Sequence, residues 1–311
     1  MVNADVLVMG GTGFVGKWLT ASLGYAIDQG KSISITVISR YPKNKYRVFN
    51  SASFKSDWLQ CDLSKEQSID FSKFTHIVNA ATPSSALTGA VDPQYVFDSI
   101  NRGNQLVLDS PINPQLRYLY LSSGAVTALE VLEPVYDRDI CVNNHLDSVS
   151  SAYSHGKRFA EEEINKAAQN LSLNAQSLRL FAFAGPGLPT DQHFAVGNFM
   201  KDAMQDSPIE IKGNPNTQRS YMYPSDLTAH ILQSLVSSDV KTRELGSKEA
   251  VTMQQLAKII SINTNNPIVK NGDTSKPISI YFPNSEDTLT QTVGLEESIR
   301  RWRKWLSVVT D

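Results

Sequence analysis

Tyr153 and Lys157 stand four residues apart in the stretch "YSHGK", and positions four apart share one face of a helix. A phenol and an ammonium so placed can meet the same ligand. A free tyrosine is too weak an acid, and its phenolate too scarce at neutral pH, to move a proton unaided. A nearby positive charge favours the phenolate, so the pair suits proton transfer at a substrate hydroxyl. Ser123, in the run "LRYLYLSSGAV", adds a hydroxyl able to orient a substrate oxygen and stabilise charge developing on it. A second set is glycine. Gly10, Gly13 and Gly16 in "GGTGFVG" give G-x-x-G-x-x-G spacing. One such glycine allows a tight turn, one lets the backbone approach a pyrophosphate, and one lets helix and strand pack closely. The helix that follows presents its free N–H groups to phosphate.

These residues need elements to hold them. Val6–Met9 reads as a buried strand; "KWLTASLGYAI" has helical periodicity; "SISITVISR" is a second strand. A glycine fingerprint between a strand and a helix is a dinucleotide signature. The alternation continues with "WLQCDL" as a third strand ending at Asp62, "FTHIVNAAT" as a fourth ending in small residues, "LRYLYLSSGAV" as a fifth ending at its two serines and "AQSLRLFAFAGPG" as a sixth. Helices are expected over 93–108 and 152–169. The pattern predicts an α/β fold: a Rossmann-type doubly wound parallel sheet, helices on both faces, with a smaller α/β C-terminal substrate-binding region. The division expected is a dinucleotide-binding domain over 1–180 and a mainly substrate-binding region over 181–311, with chain crossings back to the first. In such sheets ligands bind beyond the carboxyl ends of the strands. Gly10–Gly16, Asp62, Ala80–Thr82 and Ser122–Ser123 all fall at such ends. Cofactor contacts are expected from Gly10, Gly13, Phe14, Val15, Gly16, Arg40, Asp62, Leu63, Ala80, Ala81, Tyr153 and Lys157.

The second strand ends in Ser39–Arg40, where an NAD site usually places a carboxylate on the ribose hydroxyls. Arg40, with Lys43, Lys45 and Arg47, suits a 2′-phosphate, so NADP is the expected cofactor, with NAD the alternative if the basic cluster is a solvated loop.

Bulk properties narrow the class. The chain has 311 residues and a net charge of −2, with acids and bases mixed. This speaks against a nucleic-acid footprint or a polybasic membrane patch. The opening "MVNADVLVMGGTG" lacks the pattern of a signal peptide, and no apolar run is long enough to span a bilayer. Cys61 and Cys141 are the only cysteines, which reads as a reduced, cytoplasmic chain. His76, His145, His155, His193 and His230 show no zinc spacing, and no metal is expected.

The ordered set "GGTGFVG", "CDL", "IVNAAT", "YLSSGAV", "YSHGK", "LRLFAFAGPG", "RSYMYPSDL" and "TVGLEESIRRWRKW" resembles the extended short-chain dehydrogenase/reductases, in the branch of nucleotide-sugar epimerases, dehydratases and 4-keto reductases. The resemblance covers nearly the whole chain. It implies an enzyme with Ser123, Tyr153 and Lys157 as the catalytic set and a nucleotide diphosphate sugar as substrate. It implies that Thr82, Ser123, Asn198 and Arg219 touch that substrate, Arg219 as a phosphate-binding fork. It also implies a homodimer through the helices at 93–108 and 152–169. Asp226 is expected to cap the helix beginning "LTAHIL". Leu295–Leu306 reads as an amphipathic terminal helix, with Trp302 and Trp305 packing.

Departures from the family choose among its activities. Its dehydratases carry Asp-Glu directly after the catalytic hydroxyl residue, and its UDP-glucuronate decarboxylases a glutamate near this point. Here Gly124 and Ala125 stand there, and neither exchanges a proton. The usual "VYG" is "VTA", Val126 to Ala128. Ile100 replaces the usual asparagine three residues before Gly103, with Asn101 adjacent, and Ala182 replaces an asparagine contact to the diphosphate. The expectation is an NADPH-dependent 4-keto-sugar reductase. The alternative is a 4-epimerase with a tightly held cofactor, and a reading of another class is a non-catalytic NADP-binding protein.

Overall fold

The first strand, β1 (Ala4–Met9), is buried from Val6 to Met9, as a strand covered on both faces must be. The computed structural model describes residues 3–40, 56–63, 65, 69–82, 91–143, 147–192, 194–237, 241–266, 269–284 and 291–309. Lys43, Lys45 and Arg47 lie outside the described residues. The chain continues through α1 (Phe14–Asp28), β2 (Ile33–Ser39), β3 (Asp57–Gln60), β4 (His76–Asn79), α2 (Pro93–Leu108), β5 (Arg117–Ser123), α3 (Gly124–Leu132), α4 (Arg138–Asn143), α5 (Val149–Leu171) and β6 (Asn174–Leu180). Then come β7 (Ala182–Phe183), α6 (Ala195–Met204), β8 (Ile209–Glu210), β9 (Gln218–Met222), α7 (Pro224–Val236), β10 (Arg243–Leu245), β11 (Ala250–Thr252), α8 (Met253–Thr264), β12 (Val269–Lys270), β13 (Ile280–Tyr281) and α9 (Leu295–Val309).

Contacts divide the chain into two units, Met1–Arg179 with Thr228–Arg243, and Leu180–Leu227 with Glu244–Asp311. The seven-stranded sheet runs β10-β6-β5-β4-β1-β2-β3, and β1 pairs parallel with both β2 and β4. Strand order therefore reverses between β1 and β4, the topological switch where an open α/β sheet leaves a crevice. This is the Rossmann-type α/β sheet expected from the alternating pattern. In the second unit β9 pairs antiparallel with β11 and parallel with β13 and β7. There α8 packs on α9, whose Trp302 is fully buried and Trp305 half-buried. No helix among the described residues is long and apolar enough to cross a membrane.

Local chemistry sets the element ends. Helix α2 begins with Pro93 after Asp92, whose carboxylate accepts from Gln94 N at 3.1 Å, so its start is sharply marked in the sequence. Four expectations need correction. The third strand stops at Gln60, two residues short of Asp62, although Cys61 N still donates to Ser39 O. Strand β5 ends at Ser123, as expected, and "GAV" opens α3 because Ser123 Oγ accepts from Ala125 N and caps the helix. Helix α5 starts three residues earlier than Ala152, capped by Ser148. "AFAGPG" leaves the large sheet: Phe181 N still bonds Leu245 O on β10, but Ala182–Phe183 pair with β9 instead. Asp226 is not the N-cap of α7 but sits inside its first turn. Its carboxylate accepts from Thr292 N and Val293 N, each at 2.9 Å, and from Thr292 Oγ1, clasping the segment before α9.

One charge cluster ties three elements of the first unit. Arg179 on β6 donates to both Glu161 carboxylate oxygens, closest at 2.7 Å, and to both Glu130 oxygens at 2.6 Å. Glu161 on α5 is buried, while the Glu130 side chain on α3 is 38% exposed. Two parallel bonds per carboxylate are the guanidinium's favoured geometry. Removing one partner of a buried pair strands the other's charge. Arg179→Met is therefore expected to cost about 3–5 kcal/mol, read from the chemical-denaturation midpoint of the full chain.

Candidate active site

The glycine turn is shaped by contact. Gly10 has φ +81°, and a β-carbon there would lie 2.8 Å from Ala80 O at the end of β4. A β-carbon at Gly16 would lie 2.4 Å from Gly10 O. Neither position admits a side chain without moving backbone. Gly13 is the N-cap of α1; no side chain caps the helix and its first turn holds no acid. Phe14 and Val15 are half-buried in that turn. An uncapped helix start beside a close-packed glycine turn fits a pyrophosphate.

A cleft opens beside this turn. Gly10, Thr12 and Gly13 line it, with Ser39 and Arg40 from the end of β2 and Cys61, Asp62 and Leu63 beyond β3. Ala80, Ala81 and Thr82 beyond β4 complete that side, and Tyr95 and Ser99 from α2 face them. Asn79 shapes the β4 end: its Oδ1 accepts from Ala81 N, and its Nδ2 donates to Asn104 Oδ1 and Tyr118 Oη. Thr12 and Ser39 hydroxyls are 2.8 Å apart, joining the glycine loop to the end of β2. Arg40 is exposed. The structure thus gathers Gly10, Gly13, Arg40, Asp62, Leu63, Ala80, Ala81 and Thr82 around one cleft, with Gly16 supporting its floor. Thr12, Tyr95 and Ser99 join them without having been expected. Tyr95 and Ser99 are four apart on one helix, but nothing local says which helix faces the cleft.

Ser123 is the last residue of β5 and is buried. Tyr153 lies half-buried in the second turn of α5, and Lys157 one turn on is 1% exposed. Lys157 Nζ donates to Leu121 O at 2.7 Å and Thr82 Oγ1 at 2.9 Å. It lies 4.6 Å from the centre of the Tyr120 ring and 5.9 Å from that of Tyr153. Leu121 is two residues before Ser123, so this bond pins the end of β5 to α5. His155 turns elsewhere, to Ser151 and Glu133. The asparagine question left by Ile100 is answered locally: Asn101 donates to Phe97 O on its own helix, while Asn104 reaches Asn79 and Tyr118. Helix α5 packs on α2 through Gly156, against Ile100 and Phe97.

Asn198 and Arg219 belong to the second unit. Asn198 lies half-buried on α6. Arg219 on β9 donates to Gln218 O, Ser279 O and Ser279 Oγ, and stacks 5.5 Å from the Tyr281 ring centre. Among the described residues no group of His, Cys, Asp and Glu could hold a metal ion.

Burial governs the lysine. Desolvation pulls the Lys157 ammonium from 10.5 down to about 7, against an upward pull from Glu161. The folded chain then binds this proton less tightly than the unfolded chain. Lys157 opposes folding most below about pH 7, and the opposition fades as pH rises toward 10.5. Every tenfold loss of proton affinity on folding corresponds to about 1.4 kcal/mol. The cofactor-free Tm is expected to rise between pH 6 and pH 9 through this group, and Lys157→Met should flatten that rise in paired calorimetric scans.

The chain matches the model of the NAD dependent epimerase/dehydratase family over residues 6–244. It is 24% identical over 287 residues to UDP-glucuronic acid decarboxylase 4 of Arabidopsis thaliana, covering 91% of this chain and 60% of that protein. The chain thus spans about 60% of that relative's length. Its fold is similar to that of the UDP-N-acetylglucosamine 4-epimerase of Methanobrevibacter ruminantium M1, with TM-score 0.80 and 17% identity over 99% of this chain and 100% of that one. It is also similar to the UDP-glucose 4-epimerase of Thermotoga maritima, with TM-score 0.75 and 16% identity over 99% and 100%. The family match runs through the glycine turn, the cleft and Ser123, Tyr153 and Lys157, and the chain belongs to the NAD-dependent epimerase/dehydratase family.

Proposed function

We propose that this chain is an NADPH-dependent reductase of a nucleotide-linked 4-keto sugar, acting in the cytoplasm as a homodimer. The observation that carries the cofactor choice is the end of β2: Ser39 and Arg40 line the cleft where a ribose-binding carboxylate would otherwise stand. A guanidinium there suits a 2′-phosphate, and a cofactor of that kind is spent in a reduction rather than recycled. Gly124 and Ala125 open α3 directly after Ser123. They supply no carboxyl for the proton shuttling of a dehydration.

When bound, the cofactor supplies the hydride that reduces the ketone carbon. Ser123 donates a hydrogen bond to the ketone oxygen and holds it in place. Tyr153 gives its phenolic proton to the oxygen as it becomes an alkoxide, so ketone, hydride and proton together make the alcohol. Lys157 provides the positive charge that makes the phenol a readier donor and accommodates the phenolate left behind. Thr82, bonded to Lys157, stands beside the substrate. Asn198 and Arg219 serve the diphosphate.

The test follows NADPH absorbance with nucleotide-linked 4-keto-6-deoxy sugars, products being separated afterwards. Stoichiometric loss of NADPH is expected, with NADH poorer. Arg40→Ala should raise KM for NADPH about 10- to 100-fold, as loss of a charged hydrogen bond does, with little change for NADH. Tyr153→Phe should lower kcat about 10²–10⁴-fold. Inversion at C4 of a saturated sugar nucleotide without loss of NADPH would instead make the chain a 4-epimerase. Release of CO2 from a nucleotide-linked glucuronate would overturn the assignment altogether.

A further inference from the structure

We propose that Glu161 and the ring of Tyr120 are positioning residues for Lys157, together favouring its ammonium against the discharge that burial drives, inside the first unit and before any ligand arrives. For its consequence in catalysis this rests on the proposed function; for the state of the lysine it does not.

The two hydrogen bonds of Lys157 Nζ go to a carbonyl and a hydroxyl, both neutral. Neutral acceptors alone do not make a cation comfortable at 1% exposure. Two further groups oppose its discharge. Tyr120 on β5 presents its ring 4.6 Å from Nζ, within the roughly 6 Å reach of a cation–π contact. Glu161 lies one turn beyond Lys157 on α5 and is 3% exposed. Arg179 is its direct partner, yet Arg179 is also held at both nitrogens by Glu130. Two carboxylates on one guanidinium leave an excess of negative charge beside Glu161, and this draws the proton of Lys157 one turn away.

The other groups facing this cluster do not supply that charge. Burial holds the hydroxyls of Tyr118 and Tyr120 neutral, pushing both far up. Arg179 is held firmly cationic by its two glutamates. Burial pushes Glu161 up, and Arg179 pulls it back. Tyr153 lies one turn before Lys157 on α5, with its ring 5.9 Å from Nζ.

The experiment titrates the cofactor-free full chain carrying isotope-labelled lysine, followed by NMR, with the Lys157 signal identified by its loss in Lys157→Met. The wild-type midpoint is expected at about 7. Glu161→Gln keeps the shape and an acceptor for Arg179, and should weaken proton affinity about tenfold, lowering the midpoint by about one on the pH scale. Tyr120→Leu should lower it as well, whereas Tyr120→Phe, which keeps the ring, should restore the wild-type value. A folded Glu161→Gln chain with an unmoved midpoint overturns the proposal, and so do equal midpoints for the Leu and Phe variants. If circular dichroism shows Glu161→Gln unfolded, the Tyr120 pair decides alone. The alkaline limb of NADPH oxidation should move with the midpoint. Lowered midpoints in a chain that oxidises no NADPH would leave this proposal standing and remove the reductase reading.

Discussion

Burying the ammonium of Lys157 takes it from water into a place where every stabilising contact must be built. The contacts come from different parts of the chain: Leu121 O from β5, Thr82 from beyond β4, the Tyr120 ring from β5, and the field of Glu161 from the next turn of α5. An error of one residue in any of these elements would leave a buried charge exposed to apolar surroundings, at a cost of several kcal/mol. The lysine therefore fixes the relative placement of β4, β5 and α5. Arg179 extends the constraint to β6 and α3 through its two glutamates. Ser123 and Tyr153, on elements joined in this way, inherit their placement from charge balance.

The cleft depends on a different constraint, steric rather than electrostatic. Reversal of strand order between β1 and β4 leaves the ends of these strands without a crossing helix. The turn after β1 then comes so close to Ala80 and Ala81 that Gly10 has no room for a side chain. Close packing at Gly16 draws α1 onto the same turn. The N-terminus of α1 is left with its donors unspent by any side-chain cap. In the proposed cofactor site, phosphate would be met by backbone, and the side chains at the end of β2 would choose between dinucleotides.

What can be read from the sequence is what neighbours along the chain determine. The glycine spacing, the apolar run of β1 and the Asp92–Pro93 start of α2 are local, and they locate the cleft and one long helix. "GAV" after Ser123 is apolar in a way that suits strand or helix, and the choice falls to a hydroxyl accepting Ala125 N. The departure of "AFAGPG" from the large sheet is set by β9, far along the chain. Asp226 looks like a helix cap because its partners, Thr292 and Val293, are 66 and 67 residues away. Glu161 and Arg179 give no local signal for the same reason. Each is unremarkable alone, and only folding puts one guanidinium between two carboxylates.

The end of β5 shows how a backbone transition can select chemistry. Ser123 is both the last strand residue and the cap of α3, so its oxygen accepts from Ala125 N at 3.2 Å. An oxygen that accepts there is a poor base, and in the proposed reduction this hydroxyl acts toward the substrate as a donor. The first turn of α3 contains no acid, so the positive end of its dipole is not offset beside that hydroxyl. A hydrogen-bond donor at a positive helix end favours an oxygen gaining negative charge. That is the demand of a ketone becoming an alkoxide. A carboxylate at Gly124 or Ala125 would cancel the same field while adding a proton shuttle. For the proposed reduction, small residues there would leave the helix field at Ser123 intact and omit the carboxyl that a dehydration needs.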